Sequence, residues 1–263
     1  MSGGLLLCRL CRYQASVTAG SVFQDTHLPL SLWLRAMWQV TSHKTGISAL
    51  GLQRVLGLGS YKTAWTLLHK LRRAMVRPGR DPLGGIVEVD ETFWGREEKG
   101  ADGRFRQSKS LIVVAAEQDG SGIGRIRLRS LADASRKSLH GFIHEAIELG
   151  STVRTDGLPA YSQLEGYVHI RQIAQPKQNS YLHRVHRVIS LLKRWLMGTH
   201  QGAVSQRYLE DYLNEFAFRF NRRKSASRGK LFYRLAQYAA QLEPTTLASI
   251  KDHNNLWPVD SSA

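Results

Sequence analysis

The spacing of apolar residues changes along the chain from a helical period to a strand-like period near residue 85. In residues 29–42, "PLSLWLRAMWQVTS", apolar side chains recur three and four positions apart, which predicts a helix with Pro29 near its start. Residues 48–55 predict a short second helix, and Ser60 is a suitable N-cap for a third. The apolar face predicted for this third helix consists of Ala64, Leu67, Leu68, Leu71 and Met75.

A glycine turn separates the second and third predicted helices, at "GLG", residues 57–59. A short helix, a glycine turn and a basic helix are typical of a helix-turn-helix, and we assign residues 21–80 to such a DNA-binding region. The alternative is a plain helical hairpin with a solvated basic face. On the polar face, beside His69, the residues predicted to contact DNA are Lys62, Lys70, Arg72 and Arg73.

After a Pro- and Gly-rich linker at residues 77–85, the pattern favours strands. Apolar runs and alternating residues predict strands and helices in a mixed order. This order indicates an α/β fold, in which a mixed sheet has flanking helices. The predicted strands lie at residues 85–95, 110–120, 124–131, 151–157 and 167–173, and the predicted helices at 134–150 and 182–198.

Within the first predicted strand, the strand-like run of residues 86–89 ends in a carboxylate, Asp90, and the fourth predicted strand ends in Asp156. Active sites of open α/β sheets gather at strand ends, so these carboxylates are expected to meet in space. Their mutual repulsion requires a cation, and Mg²⁺ prefers oxygen ligands. The alternative is that each aspartate forms a turn after its strand. Glu91 follows Asp90 and is expected on the opposite face of the strand, where it supports a neighbouring segment.

The chain carries a large positive charge, with 37 Lys and Arg against 21 Asp and Glu in 263 residues and a formal net charge of +16. Such a chain attracts polyanions, and nucleic acid is the expected partner. An anionic membrane surface is disfavoured because no basic amphipathic helix stands alone at a terminus. No uncharged apolar run approaches the ~18 residues of a membrane span, and the N-terminal "GLLL" is too short for a signal peptide, so we expect a cytoplasmic protein.

Cys8 and Cys11 form a C-x-x-C pair, which is half of the ligand set of a zinc ribbon. A structural zinc site takes about four ligands, so one pair is incomplete. Two interpretations stay open: a pair of free thiols, or the remnant of a ribbon whose first pair lies upstream. We assign residues 1–20 to this remnant, with zinc binding undecided.

Three segments resemble the catalytic core of bacterial DDE-type transposases, and most closely the insertion-sequence 1595 family. They are "VEVDETFWG" (87–95), "RTDGLPAYSQL" (154–164) and the block from His186 to Arg223 that contains "LKRWLMGTH" and "EFAFRFNRR". The resemblance implies an RNase H-like catalytic domain at residues 86–240 and cut-and-join chemistry on DNA. It also implies a zinc ribbon and a helix-turn-helix ahead of that domain.

The resemblance also implies the site residues. Asp90 matches the first catalytic aspartate, Asp156 the second, and His186 the third position, which varies among Glu, Asn and His in that family. Two ions, Mg²⁺ or Mn²⁺, are implied, and an imidazole ligand favours Mn²⁺. His183 is a weaker rival for the third position, and His186 could instead pair with a DNA phosphate.

Further basic residues are expected to contact DNA. Lys193 lies two helical turns after His186 on the same face, and a basic residue there contacts DNA in related transposases; Arg194 follows it. In "FRFNRRKSASRGK" we expect the phenylalanines to pack on the core while Arg222 and Arg223 contact the DNA backbone. The alternative is a solvated charged tail. Residues 241–263 are assigned to a tail without further prediction.

Three functions from different classes fit these residues. The first is a transposase that cuts element ends and joins them to target DNA, acting as a homo-oligomer on the terminal repeats and the target. The second is a truncated, catalytically inactive copy that only binds DNA. The third is a nuclease of the same fold that cleaves without joining.

Overall fold

The computed structural model describes residues 5–77, 79–95, 97–99, 105–107, 109–172 and 182–252. Residues 1–4 of the predicted ribbon remnant and 253–263 of the predicted tail therefore lie outside the described residues. The chain forms two compact units. The helical unit contains residues 1–77 and 225–263, and the sheet unit contains residues 78–224.

The helical unit begins with a small antiparallel hairpin of β1 (Leu5–Leu7) and β2 (Gln14–Ser16). Three helices follow: α1 (Leu30–Ser42), α2 (Ala49–Leu56) and α3 (Tyr61–Ala74). The hydroxyl of Ser48 caps α2 by accepting the N–H of Gly51, and α2 ends at Gly57 with φ +64°, a left-handed conformation that favours glycine. The predicted apolar face of α3 is confirmed, since all five of its residues are buried.

The prediction that Arg72 and His69 lie on an exposed face of α3 is wrong. Arg72 is only 1% exposed and His69 is 0% exposed, and the Arg72 Nη1 atom lies 3.3 Å from His69 Nε2. The physical reason is that α3 is packed on more than one side, since it contacts α1 and α2 and also two helices from the C-terminal end of the chain. A larger part of the α3 surface is therefore buried than in a helix that packs on one side only.

The sheet unit is built on five strands in the order β7-β6-β3-β8-β9. The central strand β3 pairs antiparallel with β6, which pairs antiparallel with β7, and pairs parallel with β8, which pairs parallel with β9. A separate small hairpin consists of β4 and β5. The strands are β3 (Ile86–Trp94), β4 (Glu97–Lys99), β5 (Phe105–Gln107), β6 (Ser110–Asp119), β7 (Gly122–Leu131), β8 (Thr152–Thr155) and β9 (Val168–Arg171).

Helices cover both faces of the sheet. On one face lies α4 (Arg136–Ala146), and on the other lie α5 (His183–Gly198) and α6 (Leu209–Asn221). The α4 side buries one apolar cluster with β3, β6 and β8, whereas the α5 side buries a second cluster with β6 and β7. The predicted mixed sheet with flanking helices is confirmed, and this arrangement fits the RNase H-like fold that the resemblance implies.

The helix α4 ends four residues before the predicted end at Gly150. Its last helical residue is Ala146, because Ile147 leaves the helix to form a parallel bridge with Leu83. The N–H of Leu83 donates to the carbonyl of Ala146, and the N–H of Glu148 donates to the carbonyl of Leu83. These two hydrogen bonds replace the next turn of the helix.

The chain then returns to the helical unit through α7 (Arg228–Gln241) and α8 (Leu247–Lys251). The helix α7 packs against α1 and α3, and α8 packs against α3. The catalytic domain that the resemblance implies extends to residue 240, and the sheet unit ends at Lys224. The apolar side of α7, with Leu231, Leu235 and Ala239 buried, belongs to the helical core.

Glu117 on β6 connects β7 with the chain entering β3. It accepts hydrogen bonds from the Gly84 and Arg125 N–H groups and from the Arg125 guanidinium. These donors lower the Glu117 pKa to about 2, although burial acts in the opposite direction. The ionised carboxylate therefore stabilises the fold above its ordinary pKa of 4.5, and this contribution is lost as the pH falls towards 2.

We therefore expect Glu117→Gln to lower the free energy of unfolding of the sheet unit by about 1–2 kcal/mol at pH 7. The difference from the wild type should shrink as the pH falls from 5 to 3, because the wild-type carboxylate is then losing its advantage. Unfolding by urea across this pH range measures the effect. A difference that stays constant with pH would contradict it.

Candidate active site

The first predicted site residue, Asp90, lies in the middle of β3 with its side chain towards α5. The prediction that a strand ends at Asp90 is therefore wrong, because β3 continues to Trp94 by pairing with β6. Its side chain is 15% exposed, and its Oδ2 atom lies 3.0 Å from the Nε2 atom of His186 near the start of α5. Burial raises the Asp90 pKa, and the nearby His186 partly offsets this effect. The structure thus brings together two of the three predicted catalytic residues, although they are far apart in sequence.

The second predicted aspartate, Asp156, directly follows β8. In the parallel pairing of β3 and β8, Glu88 lies opposite Arg154, and the same register carried forward places Asp156 level with Asp90. The charge of Asp156 is one of the causes that raise the pKa of Asp90 and of Glu91, after burial. The Oδ1 atom of Asp156 also accepts the N–H of Leu158 at 2.9 Å, so this aspartate forms a turn as well.

Glu91 points to the other face of the sheet, as its position beside Asp90 predicts. Its Oε2 atom accepts the hydroxyl of Tyr161 at 2.5 Å. Burial raises the pKa of Glu91, and burial together with the Glu91 charge raises the pKa of Tyr161. A hydrogen-bonded, largely buried pair therefore supports β3 from the α4 side, next to the site.

The two histidines that compete for the third position differ in their surroundings. His183 is the first residue of α5 and is exposed, whereas His186 contacts Asp90. The geometry therefore favours His186 over His183 as the partner of the carboxylates.

The donor set suits a divalent cation by its chemistry. Asp90 on β3 and Asp156 after the neighbouring strand β8 are carboxylates, and the imidazole of His186 contacts Asp90. Within the described part of the chain, no group of three or more His, Cys, Asp or Glu side chains is close enough to hold one metal ion. In this conformation Asp90 and His186 contact each other directly.

Sequence reasoning missed a buried ion pair next to the site. Glu88 on β3 is 0% exposed, and its Oε1 atom lies 3.0 Å from Nη1 of Arg184 on α5. A signal for it was present, because Glu88 lies between two buried valines and, two residues before Asp90, shares its face of the strand. A carboxylate buried in that position requires a partner.

The basic residues predicted to contact DNA fall into two groups. Lys193 and Arg194 on α5 and Lys62 on α3 are exposed. Others make contacts within their own unit. Lys70 lies 5.8 Å above the ring of Trp33, and Arg73 donates to the carbonyl of Ser249.

The guanidinium groups that follow α6 contact the protein itself. Arg222 donates to the carbonyl of Phe218 and lies over its ring, and Arg223 donates to the carbonyls of Gly124 and Ile123. As expected, the phenylalanines of α6 are buried. DNA contact by Arg222 and Arg223 stays a prediction.

Cys8 and Cys11 are free thiols in the turn of the β1–β2 hairpin. The Cys8 N–H donates to the carbonyl of Tyr13, and the Arg12 N–H donates to the carbonyl of Cys8. A hydrogen bond from the Cys11 backbone lowers the pKa of the Cys8 thiol. This turn presents both sulfur atoms together, and zinc binding stays a prediction.

Comparison with protein families gives a match to the ISXO2-like transposase domain, over residues 82–221. The match covers more than half of the chain and includes Asp90, Asp156 and His186. The chain belongs to this transposase family. Its matched segment lies within the sheet unit, residues 78–224, so the transposase domain and the sheet unit are nearly the same part of the chain.

Other comparisons with known proteins are more distant. A comparison with curated proteins found no match. Among solved structures, the catalytic core domain of BIV integrase is similar, with 15% identity, a TM-score of 0.40 and coverage of 59% of this chain and 97% of the integrase core. A simian T-cell lymphotropic virus intasome in complex with the PP2A regulatory subunit B56 gamma is also similar, with 16% identity, a TM-score of 0.34 and coverage of 72% of this chain and 64% of that chain. No helix in the described part of the transposase-family chain is long and apolar enough to cross a membrane.

Proposed function

We propose that the chain catalyses metal-dependent cleavage and strand transfer of DNA in the transposition of an insertion sequence. The observation that carries the proposal is the contact between Asp90 on β3 and His186 on α5, with Asp156 at the end of the neighbouring parallel strand. Membership of a transposase family supports the reaction class. The terminal repeats of the element and the target DNA are the proposed substrates, and a homo-oligomer is the proposed working form because two ends must be paired.

The proposed metal ligands are Asp90, Asp156 and His186, holding two ions of Mg²⁺ or Mn²⁺. When bound, such ions stabilise the charge that develops on the attacking and leaving oxygens of a phosphoryl transfer. Asp90 would supply one of the carboxylates, and its burial would strengthen its attraction for a cation. Metal binding would replace the direct contact between Asp90 and His186 with bonds from both side chains to the ion.

The decisive experiment measures cleavage and strand transfer on DNA that carries the terminal repeats flanking the chain's own gene. Reactions contain Mg²⁺ or Mn²⁺, and Asp156→Asn and His186→Ala are run beside the wild type. We expect cleaved and joined products from the wild type and a loss of both in the two variants. Cleavage without joined product would favour a nuclease, and DNA binding without product under either metal would favour an inactive DNA-binding copy.

The imidazole at the third position predicts a metal preference. Imidazole is a softer ligand than carboxylate, and it leaves the site one negative charge weaker. We therefore expect the wild type to be more active with Mn²⁺ than with Mg²⁺, and His186→Glu to raise the ratio of Mg²⁺ to Mn²⁺ activity severalfold. Initial rates of strand transfer at matched metal concentrations measure this ratio. An unchanged ratio in His186→Glu would remove His186 from the proposed ligand set.

The exposed face of α5 is the proposed path of the DNA backbone next to the site. Lys193 and Arg194 are exposed there, two turns beyond His186. In the helical unit, Lys62 at the start of α3 is an exposed basic residue of the proposed helix-turn-helix. These contacts are phosphate contacts, so they give affinity and orientation rather than sequence specificity.

Lys193→Ala is expected to weaken DNA binding to a similar extent for every sequence. Removing a single lysine–phosphate interaction should reduce the slope of log affinity against log salt concentration by about 0.9. Lys137→Ala is the matched control, because Lys137 is an exposed lysine on α4, across the sheet from α5. Fluorescence anisotropy with a labelled duplex at several salt concentrations measures both. Equal slopes for Lys193→Ala and Lys137→Ala would contradict the proposed path.

A further inference from the structure

We infer that Glu88 is a positioning residue for the proposed reaction: it fixes the start of α5 on β3 so that His186 reaches Asp90. The inference rests on the proposed function. Glu88 and Asp90 are two residues apart on β3 and share one face of the sheet. One strand therefore holds both the carboxylate that contacts His186 and the carboxylate that holds the helix on which His186 lies.

The first turn of α5 has no cap of its own. Its N-cap residue is Leu182, which has no side-chain acceptor. The Oε2 atom of Glu88 takes that place from the neighbouring strand, since it accepts the N–H of Arg184 at 2.8 Å and the N–H of Val185 at 3.0 Å. These are the second and third residues of the helix, the N–H groups that an N-cap side chain ordinarily satisfies. The negative charge also lies at the positive end of the helix dipole.

The side chain of Arg184 fixes the helix in a second direction. Its Nη1 atom pairs with Oε1 of Glu88 at 3.0 Å, its Nε donates to the carbonyl of Gly122 at 3.1 Å, and its Nη2 donates to the carbonyl of Gly120 at 3.4 Å. The first turn of α5 is thus joined to β3 and to the β6–β7 turn. These contacts define the position of α5 along β3 and the rotation of α5 about its own axis.

His186 is one residue beyond this anchored pair. Its N–H donates to the carbonyl of Leu182 at 3.0 Å, so its backbone belongs to the same first turn. The side chain of His186 is 48% exposed, so neighbouring residues cover only about half of the imidazole. Its place beside Asp90 is therefore set by the helix start rather than by packing around the ring. A small rotation of that start would move the imidazole away from Asp90.

The test is Glu88→Gln, which keeps an acceptor oxygen for the helix N–H groups but removes the charge that holds Arg184. We expect the strand-transfer rate to fall about 10–100-fold, as for residues that orient metal ligands, with DNA affinity unchanged. The matched control is Glu117→Gln. Glu117 also accepts backbone N–H groups and an arginine in the same sheet, but its partners are Gly84 and Arg125 rather than α5.

A double-mutant comparison separates positioning from stability. If Glu88 acts through His186, Glu88→Gln should reduce the rate less than about twofold in a His186→Ala background, because coupled residues are non-additive. Glu117→Gln should have the same small effect in both backgrounds. Full additivity of Glu88→Gln and His186→Ala would overturn the inference while leaving the proposed function intact.

A spectroscopic readout serves if His186→Ala has no measurable rate. In protein with ¹⁵N-labelled histidine, Glu88→Gln should shift the imidazole nitrogen resonances of His186 in the direction that Asp90→Asn shifts them, whereas Glu117→Gln should leave them in place. This measurement needs no activity, so it decides the inference even if the chain proves to be inactive. Unchanged His186 resonances in folded Glu88→Gln would overturn it.

Discussion

Asp90→Asn is expected to reduce cleavage and strand transfer about a thousandfold, which corresponds to about 4 kcal/mol in activation free energy. The reason is that Asp90 is a proposed metal ligand and contacts a second one, His186, at 3.0 Å. Asparagine keeps the shape of the side chain but lacks the charge that holds a divalent cation. DNA affinity without metal should be unchanged, since Asp90 is acidic and largely buried.

The same substitution is not expected to destabilise the metal-free protein. Burial raises the pKa of Asp90 in the folded state above its ordinary value of 3.8, so at neutral pH the unfolded chain accommodates the ionised carboxylate better than the folded chain does. A neutral asparagine removes this cost of burying a charged carboxylate, so the folded state loses no stability from the charge. Selection for activity would then maintain a charge that opposes folding, a common feature of catalytic sites.

Thermal unfolding with and without Mn²⁺ checks both statements. The midpoint of Asp90→Asn without metal should be no lower than that of the wild type. Addition of Mn²⁺ should raise the wild-type midpoint, because a ligand that binds only the folded state stabilises it by mass action, and EDTA should reverse the rise. Asp90→Asn should not respond. A clearly lower midpoint without metal, or an equal response to Mn²⁺, would contradict this account of Asp90.

Glu88→Ala is expected to have the largest effect on stability, about 3–5 kcal/mol. The substitution removes the carboxylate from a buried ion pair and leaves the guanidinium of Arg184 uncompensated. It also leaves the N–H groups of Arg184 and Val185 without their acceptor at the start of α5. Glu88→Gln is milder because it still offers an oxygen to these groups.

Hydrogen exchange of the α5 amides measures this destabilisation directly, which matters because a chain of two units need not unfold in a single step. The control is Lys224→Ala. Lys224 forms an ion pair with Asp119, but their side chains are 70% and 55% exposed, so the change should be within about 0.5 kcal/mol. Exchange rates in Glu88→Ala that match those of Lys224→Ala would show that the buried pair contributes little.

The five strands of the main sheet could be predicted from the sequence because their patterns are local and strong, whereas the β4–β5 hairpin was not predicted. The alternation in β7 and the strand-like runs of β3 and β6 predict strands. The aspartates in two of the predicted strands mark positions that the β3–β8 register places level with each other. The parallel pairing of β3 with β8 could not be deduced from the residues. This pairing is what places Asp156 level with Asp90. The third residue, His186, came from the family resemblance and not from any pattern.

The sequence was insufficient where the outcome depends on which elements pack together. Arg72 lies on the polar side of a helical wheel, but the contacts of α3 with helices from both ends of the chain bury it. The helix α7 follows the sheet unit in sequence, yet its apolar side completes the helical unit, and no pattern within α7 indicates which unit it joins. The end of α4 was set by a distant residue, Leu83, which no local signal indicates.

The division of the chain has a consequence for its synthesis. The sheet unit occupies one continuous segment, residues 78–224, while the helical unit is assembled from segments on both sides of it. Domains generally fold as units while the chain emerges from the ribosome. The sheet unit can therefore fold first. The helices α1 and α3 can complete their packing only after α7 has been synthesised. A ribosome that stops within residues 225–241 would release a chain with a complete transposase domain and an unfinished helical unit.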